Sequence, residues 1–209
     1  MRAAVRSLVL ALALVGLPTM ALAQEAAPRR VAVLASLDVG FAFDGLSPNA
    51  QPGALARIGA DLGDVELTLE AHGGGPDTID TPRVAYHVAR GAIRLEALLE
   101  AFDDGEWRIP LGVAVGLSGW ARLSTPHDPT LDGTSGATSG GFTAGLVGRV
   151  QWLPRALGGV IGIEIGLGAD VVVPEPRFVL VDGATTTVLG VLWPVSPHVS
   201  AGIVVRAFP

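Results

Sequence analysis

Apolar residues alternate with polar or small ones over segments far longer than an ordinary strand, and this alternation constrains the chain more than any other feature. Across residues 160–171, one face carries Ile161, Ile163, Ile165, Leu167, Ala169 and Val171, and the other Gly162, Glu164, Gly166, Gly168 and Asp170. Successive side chains of a strand point to opposite faces, whereas a helix would scatter the same residues around its axis. The pattern recurs over residues 31–43, 55–63, 65–72, 108–123, 142–152 and 199–208. Residues 84–100 alternate in their second half, where Ile93, Leu95, Ala97 and Leu99 oppose Arg94, Glu96 and Glu100. Leu95, Leu98, Leu99 and Phe102 also fall at helical spacing among good helix formers. The strand reading is preferred there because the neighbouring segments are strands.

Eight candidate strands result, most of them 9 to 17 residues long. Strands of water-soluble domains run about 5–6 residues, and a tilted strand crossing a bilayer needs about 9–11. No run after residue 24 is apolar for the 20 or so residues that a spanning helix requires. The links between strands alternate in length. Residues 44–54, 73–83, 124–140 and the stretch from Asp182 to about Pro197 are long and rich in Gly, Pro, Ser, Thr and Asp. Residues 63–64, 103–106 and 154–159 are short. Long outer loops alternating with short periplasmic turns mark outer-membrane barrels, and an even strand number puts both termini on one side.

In these strands and links the chain resembles the small eight-stranded outer-membrane β-barrels of the outer membrane protein A and X type, over essentially all of residues 30–208. The resemblance implies an all-β, antiparallel, up-and-down transmembrane barrel in the outer membrane of a Gram-negative bacterium. It also implies lipid around the barrel and the barrel-assembly machinery as a partner during biogenesis. That machinery reads a C-terminal aromatic residue, and here Phe208 is followed by Pro209.

With the apolar faces outward, the lumen receives eight acids, Asp38, Asp61, Glu66, Glu70, Glu96, Glu100, Glu164 and Asp170. It also receives seven arginines, Arg57, Arg90, Arg94, Arg108, Arg122, Arg149 and Arg206. Unpaired charge in a low dielectric is costly, so near-balance predicts an ion-pair network. Eight strands leave an interior that side chains just fill, which predicts a plugged lumen. Inward Gly59, Gly112, Gly116, Gly145, Gly162, Gly166 and Gly168 are expected to make room for arginine side chains. Phe41, Phe43, Phe142 and Trp152 lie near strand ends, where an aromatic girdle belongs. Alternation alone also fits the inverse arrangement, an exported soluble lipocalin-like carrier with an apolar interior. The scarcity of charge, Lys, Asn and Gln on the polar faces favours the membrane.

Arg2 and Arg6, the apolar run from Ser7 to Gly16 and the small residues of Ala21-Leu22-Ala23 form a secretory signal, which predicts cleavage after residue 23 and a single barrel domain over residues 24–209. The chain has no Cys, which excludes disulfides, thiolate metal sites and a Cys nucleophile. A net charge of −6 leaves no basic footprint for nucleic acid. His72 beside Glu70, and His127 with Asp128, are the candidates for rim chemistry such as lipid deacylation. No GxSxG elbow or HExxH accompanies them, and Asp128, Asp132 and Asp182 form no EF-hand, so the expectation is a non-enzymatic protein without cofactor or metal. The pattern sets no oligomeric state.

Overall fold

The computed structural model describes residues 31–45, 50–127, 137–175, 177–182, 185–191 and 193–207. Its strands are β1 (Ala32–Ala42), β2 (Gln51–Asp61), β3 (Val65–Asp80), β4 (Val84–Asp103) and β5 (Trp107–Pro126), then β6 (Ala137–Trp152), β7 (Ile161–Val173), β8 (Arg177–Asp182), β9 (Thr185–Val191) and β10 (Ser196–Ala207). Eight of them close an antiparallel barrel in the order β1-β10-β7-β6-β5-β4-β3-β2, while β8 and β9 form a separate hairpin. The seam joins the first and last strands, from Val33 opposite Ala207 to Ala42 opposite His198.

Period-two patterning sets the facing of every wall strand. On β7, Ile161, Ile163, Ile165 and Leu167 are exposed while Glu164 is 1% exposed. On β1, Leu37 and Val39 are 67% and 69% exposed and Asp38 is 1% exposed. The outside is therefore a continuous apolar wall and the inside is charged, the reverse of a soluble carrier. The helix-compatible stretch at Leu95 lies within β4. There Leu95 and Leu99 face out, while Leu98 faces in and is fully buried.

The three short turns gather at one end of the barrel. In the β2–β3 turn, Gly63 takes a φ of 96° and donates its N–H to Asp61 Oδ1 at 2.8 Å. In the β4–β5 turn, Asp104 Oδ1 accepts from the Trp107 and Glu106 amides at 2.7 and 3.0 Å. Those two bonds hold its carboxyl below the usual carboxylate range. A short 3-10 segment, Arg155–Leu157, makes the β6–β7 turn.

The opposite, loop end departs from the sequence reading in three places. Residues 73–80, read as a glycine-rich loop, continue β3 along β4 through a register shift between Gly74 and Asp77, and only residues 81–83 connect the two strands. Residues 137–141, also read as loop, extend β6 along β5. A β8–β9 hairpin stands between β7 and β10, with β9 inside the last long link and β8 in the stretch just before it. The extensions of β3 and β6 are built of Gly, Pro, Thr, Ser and Asp, and Ile79 is their one large apolar residue turned to the interior, so the alternation that signals a strand is too weak to read there.

The interior of the loop end is apolar. Val84, Tyr86, Val88, Trp120 and Val172 pack together there, with Ile79 against them. On the outer wall, Phe41, Phe43 and Phe142 lie toward the loop end. Trp107 and Trp152 lie at the turn end with ring centroids 6.2 Å apart. Of the inward glycines, Gly59, Gly112, Gly116, Gly145 and Gly162 are tight against neighbouring backbone, while Gly166 and Gly168 meet the side chains of Ser200 and His198, and none of the seven meets an arginine among its nearest atoms. A Cβ on Gly112 would overlap the Ala97 carbonyl of β4, and one on Gly145 would overlap both the Ala169 carbonyl and the Asp170 carboxylate. The close approach comes from strand coiling, and glycine permits it.

Candidate functional site in the barrel lumen

Antiparallel register places oppositely charged inward residues side by side. Arg57 of β2 stands opposite Glu70 of β3, and Glu70 stands opposite Arg94 of β4. Likewise Thr68 faces Glu96, and Gln151 faces Glu164. Cross-strand pairs of this kind are the local unit of sheet stability. The narrow lumen then adds contacts across the barrel.

Arg57 is the hub. Its guanidinium contacts both Asp38 and Glu164, and its Nε lies 3.4 Å from Glu70. Arg94 donates to Glu70 from Nε at 3.1 Å and to Asp170 from Nη1 at 2.7 Å, with Glu96 at 3.7 Å. Arg149 donates to Glu66 at 2.7 Å and pairs with Glu96. Thr68 donates to Glu96 at 2.7 Å, and Gln151 donates to Glu164 at 3.1 Å. Near the turn end, Arg108 reaches Asp61 at 3.0 Å, Glu100, and Asp103 at 3.2 Å. Arg206 meets the same Asp61 at 2.5 Å. Planar guanidinium suits this role because its five donors can serve several carboxylates at once.

Two arginines stand apart. Arg90 lies over the Trp120 ring at 5.7 Å, and the carboxylate of Asp170 is 3.9 Å from its guanidinium. Arg122 donates to the main-chain oxygen of Val179 at 3.2 Å, linking β5 to the β8–β9 hairpin and not to an acid. Near-balance of charge along the sequence therefore hides an axial separation. Carboxylates crowd the middle of the lumen, and Arg90 and Arg122 sit toward the loop end.

Small cavities interrupt the packing among the described residues, and three of them each have room for about one water-sized body. The outermost is lined by His72, Arg90, Arg94, Asp170 and His198. His72 thus shares a chamber with Arg90 and the second histidine, His198, whose Nδ1 lies 3.6 Å from Asp170. His127 contacts Asp80 of the β3 tip at 2.7 Å; its sequence neighbours Asp128 and Asp132 fall outside the described residues. His87 bonds Thr78 at 2.8 Å. Among the described residues, no group of three or more His, Asp or Glu is arranged to hold a metal ion.

No family model matches the sequence, and no curated protein matches it. The fold has solved counterparts. Neisserial surface protein A is similar at 14% identity and a TM-score of 0.56, over 84% of this chain and 96% of its own. A major outer membrane protein from Thermus thermophilus is similar at 14% identity and a TM-score of 0.58, over 83% of this chain and 99% of its own. In fold, this chain is a closed eight-stranded antiparallel up-and-down β-barrel like those of outer-membrane proteins.

Proposed function

We propose that the chain is an integral outer-membrane barrel of a Gram-negative cell, working as a structural scaffold that presents its loop end outward around a plugged lumen. The observation that carries this reading is the sidedness of the wall: exposed Leu, Ile, Val and Phe run around the whole outside, while the lumen is arginine and carboxylate. An apolar surface of that extent is untenable in water and suits lipid. Residues 1–23, outside the described residues, act as the export signal, and lipid and the barrel-assembly machinery are the partners. The scaffold is not an enzyme.

Cell fractionation followed by boiled and unboiled lanes on a denaturing gel tests the reading. The expected result is protein in the outer-membrane fraction whose unboiled band migrates apart from the boiled one. Protein in the soluble periplasmic fraction with a single band position would overturn it.

A further inference from the structure

In the middle of the lumen, charge does not balance. Six carboxylates, those of Asp38, Glu66, Glu70, Glu96, Glu164 and Asp170, face the four guanidiniums of Arg57, Arg90, Arg94 and Arg149, and all ten side chains are buried. Excess negative charge behind a lipid-facing wall is costly unless a cation or protons offset it.

Beside Arg57 lies one of the water-sized cavities, with Ser36, Glu66, Thr68, Gln151 and Glu164 as its other polar lining. The protons of that lining point to partners elsewhere. Ser36 donates its hydroxyl to Asp38 at 3.2 Å, Thr68 donates to Glu96, and Gln151 donates its amide N–H to Glu164. Arg57 is engaged by Asp38 and Glu164 through Nη2, and its Nε, which makes no hydrogen bond, lies 3.4 Å from Glu70. Two acceptors remain without any partner, Glu66 Oε2 and Gln151 Oε1, on residues only 4% and 1% exposed. A cavity lined by oxygen lone pairs, in a region of surplus negative charge, calls for a positive occupant.

We propose that this cavity binds a single desolvated alkali cation, held by Gln151 Oε1 and Glu66 Oε2 with the Ser36 and Thr68 hydroxyl oxygens beside them. Hard oxygen donors suit such an ion. Calcium would need six to eight oxygens, and the cavity presents only two carboxylates, so the site is monovalent. The ion lowers the cost of holding the carboxylates ionised, and so ties barrel stability to the salt around it.

The test uses the folded barrel in detergent micelles, with its thermal midpoint read from the heat-dependent band shift at constant ionic strength. Sodium or potassium chloride is compared with N-methylglucammonium chloride, whose cation is too large to enter. The alkali salts should raise the midpoint by a few degrees in a saturable manner, and Gln151→Leu should abolish the difference. Equal midpoints in all three salts would overturn the proposal and leave water as the occupant. Crystals of the unaltered protein soaked in thallium(I) give a second reading that does not depend on the variant folding. An anomalous peak between Glu66 and Gln151 supports the site, and a cavity without one overturns it. Absence of any band shift in every salt would count against the barrel itself, so the two failures are distinguishable.

Discussion

Arg57 holds three carboxylates, Asp38, Glu70 and Glu164, of which Glu70 is also held by Arg94. Removing one partner from a buried charge network leaves the rest uncompensated, at a cost of about 3–5 kcal/mol. Arg57→Met is expected to lose stability of that order in urea unfolding from lipid vesicles, and adding Glu164→Gln should restore part of it. An unchanged midpoint would mean that water already solvates these groups. At the turn end, Asp104 titrates below the ordinary carboxylate range because its folded form accepts the Trp107 and Glu106 amides. A depressed folded pKa contributes stability that is present above the unfolded value and is lost as pH falls through the folded one. Asp104→Asn should therefore lower the thermal midpoint slightly at neutral pH and not at all in strong acid; a deficit that persists in acid would argue against this titration. Alternation along the chain made the inward facing of Arg57 and Glu164 legible. It could not pair them, because period two fixes a face while the partner depends on register and on strands meeting across the lumen.

Single strands carry the same logic over a longer reach. Ile163 and Glu164 are consecutive on β7, one facing out and the other in. Arginine on a lipid face costs up to about 2–4 kcal/mol at mid-membrane and less toward the interfaces, so Ile163→Arg, opposite Trp152 near the turn end, should impair assembly into membranes more than Glu164→Gln. Equal tolerance in an insertion assay would contradict the facing. Legibility followed the environment of each segment. Strands with lipid on one side and charge on the other announce themselves, as β7 does. The upper part of β3, with Gly73, Gly74, Gly75 and Pro76, has no apolar face and reads as a loop, although it pairs along β4 as far as Asp80. β8 fails for the opposite reason, since Phe178, Val179, Leu180 and Val181 form a continuous apolar run without alternation.

For the molecule as a whole, the guanidinium–carboxylate network and the apolar cluster around Trp120 occupy the lumen in series among the described residues. If the lumen is plugged as proposed, purified protein in a planar bilayer inserts without discrete conductance steps, and reproducible open-channel events would refute that proposal. The seam carries a consequence of another kind, concerning time. β1 finds one of its two neighbours only in β10, at the far end of the described chain. Until the last dozen residues have been synthesised and delivered, Ala32–Ala42 keeps an open edge and the wall cannot shut. Contacts of such wide sequence separation also form slowly. The topology therefore rules out finishing the fold from the N-terminus as the chain emerges. Closure of the wall is a late event that waits on β10.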